Sequence, residues 1–256
     1  MRPPQSGSRP AVQRLAGAGL LPLVAIAAAA GAAMAAPPPP WSEPCPAAIA
    51  SEALPPTKAP VPATAPAAGP PGQRDYRELL KATSHGWPRL DQWCVWIEPG
   101  ASDGPMARWD GRWRQAVEAA LASWNQLVPI TQVSNPDQAQ VWIRRRRPPL
   151  RNGRASHGRA ELSLHRVQRQ EQWRLEPRVV VTISPGQREL AIQATALHEL
   201  GHAFGLWGHS DDPEDAMAAV PGARPVLHLS ERDRATFLWL QSQPALSDQP
   251  PSTPGD

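Results

Sequence analysis

The feature that most limits what this chain can fold into is the segment His198-Glu199-Leu200-Gly201-His202-Ala203-Phe204-Gly205-Leu206-Trp207-Gly208-His209. Histidines four residues apart project from one face of a helix, a turn apart, so both imidazoles can reach a single ion. Glu199 lies beside them and can reach a water on that ion. Gly205 can adopt the left-handed conformation that ends a helix, which swings the chain back so that His209 can approach as a third ligand. Asp211 is the alternative third ligand. Three neutral nitrogen donors with an open fourth position describe a catalytic zinc (Zn2+) site rather than a closed structural one.

Around this segment the chain alternates strand and helix patterns. Residues 92–98 have strand composition, and Trp113, Val117, Leu121, Trp124 and Val128 recur at helical spacing within 110–128. Residues 139–145 and 160–167 alternate like strands, and 178–184 is apolar enough for a central strand. Ser184, Pro185 and Gln187 fit the cap, first position and third position of a helix that leads into His198. A last helix is expected near 231–242, after Ser230. Of 14 aromatic residues 11 are tryptophan, and about three quarters of these are expected in the core rather than on a carbohydrate platform. The arginines from Arg144 to Arg147, with Arg151 and Arg154, are interrupted by prolines and lack interleaved aromatics. They are expected to form a solvated loop, not a nucleic-acid surface.

The amino-terminal quarter is a different kind of polypeptide, holding 17 of the 33 prolines in residues 1–72. Arg2, Arg9 and Arg14 precede an uncharged stretch from Leu15 to Ala36 that ends in Ala33-Met34-Ala35, the pattern of a secretory signal peptide over 1–35. An uncleaved membrane anchor is the alternative, since the stretch is long enough to span a bilayer. Cleavage after Ala35 removes three positive charges and no negative ones, so the formal net charge of +3 falls to 0. The basic balance therefore gives no evidence for an anionic partner. Residues 36–72 are expected to form a Pro/Ala-rich disordered tether, 73–245 one folded domain, and 246–256 a disordered tail. Cys45 and Cys94 are the only cysteines; in an oxidising compartment they either pair or remain two free thiols.

The segment from Leu197 to Met217 resembles the zinc-binding consensus HExxHxxGxxH of the metzincin metallopeptidases, with wording closest to the matrixin branch. Asp215-Ala216-Met217 matches the position of the methionine turn, whose Met forms an apolar floor beneath the zinc in that family. Two departures are visible. Gly205 and His209 are four residues apart instead of three, with Trp207-Gly208 filling the longer turn. Tyr76 is the only tyrosine, so none follows Met217 to act as a transition-state donor. Cys45 is also a candidate for the thiolate switch by which some relatives keep the zinc occupied.

The resemblance implies an α+β fold with a twisted, mostly parallel sheet, a first helix, the zinc helix, a methionine turn and a carboxy-terminal helix. It implies a secreted or periplasmic zinc endopeptidase with His198, His202 and His209 on the metal and Glu199 as general base. The expected partner is a protein or peptide substrate lying along an edge strand, for which 160–167 is the candidate. No nucleic acid is expected, a membrane only if the amino-terminal segment stays uncleaved, and the chain is expected to be a monomer. A zinc amidase acting on cell-wall peptides and a catalytically silent zinc-binding module are the competing readings.

Overall fold

The computed structural model describes residues 45–55, 61–62, 75–150, 153 and 155–248. The expected signal peptide over 1–35 and the last eight residues of the expected tail lie outside them. Among the described residues no helix is long and apolar enough to cross a membrane.

The fold is α+β, with a mixed sheet and three helices. In chain order the elements are β1 (Ala48–Ala53), β2 (Val61–Pro62), β3 (Lys81–Ala82), β4 (Trp93–Ile97), α1 (Gly104–Trp124), β5 (Ile130–Val133), β6 (Val141–Arg144), β7 (Gly158–Arg169), β8 (Gln172–Ile183), α2 (Glu189–Ala203) and α3 (Glu231–Gln241). The main sheet has the order β1-β7-β8-β6-β4-β5, and β2 and β3 form a separate antiparallel pair. β4, β5, β6 and β8 run parallel, and β7 and β1 add antiparallel strands at one side. Val95, Val141, Ile143, Val179, Val181 and Ile183 are fully buried on one face of the sheet, while Trp96, Trp142 and Val180, which alternate with them, are half-buried on the other.

α1 buries Trp113, Ala116, Val117, Ala120, Leu121 and Trp124, a stripe at three- and four-residue spacing. It starts at Gly104, six residues before the amphipathic pattern, because Pro105 suits the first turn. Asp110 points inward, where it accepts a hydrogen bond from Ala101 N–H at 2.7 Å and forms an ion pair with Arg145 at 2.6 Å. One member of the arginine run thus has a structural partner. α1 packs on α2, and α2 lies against β7 and β8.

Four expectations are corrected. The Pro/Ala-rich stretch 36–72 contributes β1, which pairs with residues 165–169 of β7; backbone pairing and the Cys45–Cys94 disulfide hold a segment that has no apolar period of its own. β7 and β8 are each 12 residues long, because their ladder runs unbroken from Gly158 opposite Ile183 to Arg169 opposite Gln172 and its far end is held by the buried Arg169–Glu176 pair. α2 begins at Glu189 rather than at Pro185, with no side-chain cap on Arg188; Ser184 is consumed by the sheet, where its N–H donates to His157 O at 2.8 Å. The tryptophans are less uniformly internal. Trp87, Trp93, Trp113 and Trp124 are buried and Trp207 and Trp239 pack against the core, whereas Trp109 and Trp173 are 48% and 42% exposed.

α3 carries a complete capping box between Ser230 and Asp233. The chain is still structured just past 245, since Ser247 N–H donates to His85 O at 2.9 Å.

Candidate metal centre

α2 presents His198, Glu199 and His202, and its end is a Schellman motif. Gly205, at φ +110°, donates to His202 O at 3.0 Å, and Leu206 N–H donates to Gly201 O at 2.9 Å. A residue with a side chain would be strained there. The turn brings the Leu206 carbonyl back over the helix, where it accepts from His202 Nδ1 at 2.7 Å. His198 Nδ1 donates in the same way to Ala216 O at 2.9 Å. With both Nδ1 atoms committed as donors, the Nε2 lone pairs of His198 and His202 are left to face one another across the site.

His209 completes the set. Its Nε2 is 3.3 Å from His202 Nε2, and one ligand atom from each of His198, His202 and His209 lies within 4.8 Å of the others, so the three can hold a metal ion. The four-residue spacing between Gly205 and His209 is accommodated by contact with the segment before β3: Lys81 N–H donates to Trp207 O at 2.8 Å. A Cβ on Gly208 would come within 2.2 Å of Leu79 O. Trp207 stacks on the His202 ring with centroids 5.4 Å apart. Asp211 stands outside this cluster and pairs with Arg232 at 2.7 Å.

Burial keeps the imidazoles neutral, which ligation requires. It lowers His202 to about 3, with the neighbouring His198 adding to the effect, and it lowers His198 and His209 as well. Glu199 responds in the opposite direction. Burial pushes its carboxyl up to about 7, against the pull of the Ala160 N–H hydrogen bond and the Arg159 charge. Such a group can both take and release a proton near neutral pH. Gly158 is needed for this close approach of β7 to α2, because a Cβ there would lie 2.6 Å from the Glu199 Oε1 atom.

Met217 is fully buried. Its Sδ atom occupies the space a Cβ on Gly201 would need. The turn that carries it is held by Asp233, whose carboxylate accepts from Ala216 N–H at 2.8 Å, Met217 N–H at 3.4 Å and Ser230 N–H at 2.9 Å. Tyr76 OH donates to the same carboxylate at 2.7 Å, so the single tyrosine has a structural role.

Two cavities meet at the cluster and share Ser156, Gly158, His198 and Glu199. One, of about 600 Å³, lies between Ala191, Ala194 and Thr195 of α2 and the segment from Ala218 to Val226. The other, of about 590 Å³, lies between Ala160 and Leu162 of β7 and Lys81, Ala82 and Trp207.

The structure brings together all four residues that the sequence places in the site. Sequence reasoning missed Gly158, Lys81 and Asp233, while Ala160 lies within the expected edge strand 160–167. Of the missed residues only Asp233 leaves a sequence signal, the Ser-x-x-Asp spacing of a helix cap. No protein-family model and no curated protein matches this chain.

Proposed function

We propose that the protein is an exported zinc-dependent endopeptidase of metzincin type, closest to the matrixins. The observation that carries this reading is Glu199, a buried carboxyl beside three convergent imidazoles at the junction of two cavities. The 3.3 Å separation of the His202 and His209 Nε2 atoms suits zinc, since nitrogens about 2.05 Å from one tetrahedral ion lie about 3.3 Å apart. An all-imidazole donor set, with no fourth side chain closing it among the described residues, favours zinc in a catalytic role.

When bound, zinc supplies a Lewis acid that acidifies a water and polarises the scissile carbonyl. His198, His202 and His209 hold it, the first two oriented by the Ala216 and Leu206 carbonyls. Glu199 takes a proton from the attacking water and hands it to the leaving amine. The substrate lies antiparallel along the edge of β7. β1 covers the far part of the strand that was expected to be open, so the available edge is Gly158–Ser163. The side chain after the scissile bond enters the cavity between α2 and Ala218–Val226. A cavity on each side of the histidines leaves room for residues before and after the scissile bond, which favours internal cleavage.

Export is supported by the arginine-flanked apolar stretch ending at Ala35 and by the Cys45–Cys94 disulfide, a bond that persists in oxidising compartments. A catalytically silent metal-binding module would have no use for a buried carboxyl beside the ligands. The test is proteolysis of an unfolded protein by the purified chain. Phenanthroline abolishes the cleavage and added zinc restores it. Cleavage that persists at full rate in the chelator contradicts the reading.

A further inference from the structure

The edge of β7 that borders the metal centre is interrupted by the chain's own amino-terminal strand. β1 runs antiparallel on β7 from Ala48 opposite Arg169 to Ala53 opposite His165, and its last ladder bond is Leu54 N–H to Leu164 O at 2.8 Å. Pro55 follows and has no N–H with which to extend the ladder. No described strand pairs with Gly158–Ser163 on that side. In antiparallel pairing alternate residues face the same neighbour, so Leu162 and Ala160 direct their backbone groups outward as Leu164 does. Ala160 lines the same cavity as Glu199, and a Cβ on Gly158 would lie 2.6 Å from the Glu199 Oε1 atom, which fixes the reacting bond near this end. From Leu164 to Ala160 is about 13 Å at strand rise.

β1 is also fastened in place. Its Cys45 is disulfide-bonded to Cys94 in β4, and Gln138 Nε2 donates to Cys45 O at 2.8 Å. The buried Arg169 guanidinium, paired with Glu176 at 3.0 Å, donates to Pro46 O. A cut anywhere after residue 55 therefore leaves this strand covalently attached.

We propose that β1 is a permanent stop at the amino end of the substrate groove. This rests on the peptidase reading above. A peptide lying antiparallel on β7 has room for about three residues between Pro55 and the scissile bond, opposite Leu162, Glu161 and Ala160. A longer amino-terminal side has to turn away from the sheet there. The favoured substrates are consequently short peptides, chain termini and segments that bend sharply just before the cleaved bond.

The experiment measures kcat/KM of the full chain on blocked peptides sharing one cleavage sequence, with one to eight residues on the amino side. The expected profile rises up to about three residues and then stays within about twofold. A further rise of about fivefold or more between three and six residues overturns the proposal while leaving the peptidase reading intact. If no peptide is cleaved, the peptidase reading falls and the proposal falls with it. A Cys45→Ser/Cys94→Ser/Glu52→Pro variant, which removes the disulfide and a ladder N–H opposite Arg166, is expected to shift the plateau outward by two or more residues. An unshifted plateau in a folded variant overturns the proposal, and the wild-type series decides it alone if that variant does not fold.

Discussion

The carboxylate of Asp233 accepts a hydrogen bond from Ala216 N–H at 2.8 Å, and the Ala216 carbonyl on the same residue accepts from His198 Nδ1 at 2.9 Å. A fully buried group on α3 thus sets the orientation of a histidine on α2 through one intervening residue. The same carboxylate receives Tyr76 OH and the Ser230 N–H. Asp233→Ala leaves these donors without a partner. It is expected to lower stability by about 2–4 kcal/mol and metal affinity by about tenfold to a hundredfold. Urea unfolding and a competition titration with a chromogenic chelator read the two effects separately. A stability loss with unchanged metal affinity would sever the link to His198.

Tyr76 offers a direct view of that network, because it is the only tyrosine in the chain. Burial, followed by the Asp233 carboxylate beside it, raises its phenol far above the ordinary 10.0. A group whose folded pKa is raised stabilises the fold below its unfolded pKa and loses that contribution as pH climbs above it. Tyrosinate absorption is therefore expected to stay absent at pH 11 in the folded protein and to appear only on unfolding. In urea the same residue titrates near 10. A folded protein ionising near pH 10 would contradict the buried Tyr76–Asp233 contact.

How far the sequence discloses this structure depends on whether the determinant is local. The helical stripe of α1, the two histidines on α2, the left-handed Gly205 and the cap of α3 are all local, and each stands where its pattern puts it. Ser184 carries an equally good cap pattern, yet His157 takes its backbone N–H into the sheet and the helix starts later. β1 has no strand alternation to read, since it is ordered by pairing with β7 and by a bond from Cys45 to a residue 49 positions away. Gly158 and Ala160 acquire their roles only because β7 passes against Glu199. The Cys45–Cys94 bond and the position of His209 in the histidine cluster, with Asp211 turned to Arg232, depend on distances that the spacing alone does not encode.

The disulfide closes a loop of 49 residues. Loop-closure entropy for that length amounts to at most about 4 kcal/mol. Cys45→Ser/Cys94→Ser is expected to lower unfolding free energy by roughly 2–4 kcal/mol while metal content stays the same, because neither cysteine lies in the histidine cluster. Denaturation with metal analysis checks both, and lost metal in a folded variant would contradict the separation.

His209 and Asp211 make opposite predictions. His209→Ala removes a nitrogen from the cluster and is expected to weaken metal binding by about a hundredfold or more, beyond the effect of an outer partner. Asp211→Ala loses only an exposed ion pair with Arg232 and is expected to leave affinity within about threefold. Metal retained after dialysis against a chelator distinguishes them. The reverse order would move the third ligand to Asp211.

The central claim is that Glu199 moves the proton at a metal centre held by His198, His202 and His209. Its most direct test is the Glu199→Ala chain, assayed for cleavage of an unfolded protein and for bound zinc in the same preparation. The predicted result is no detectable cleavage with about one zinc per chain. Cleavage at the parent rate with zinc retained would contradict the account.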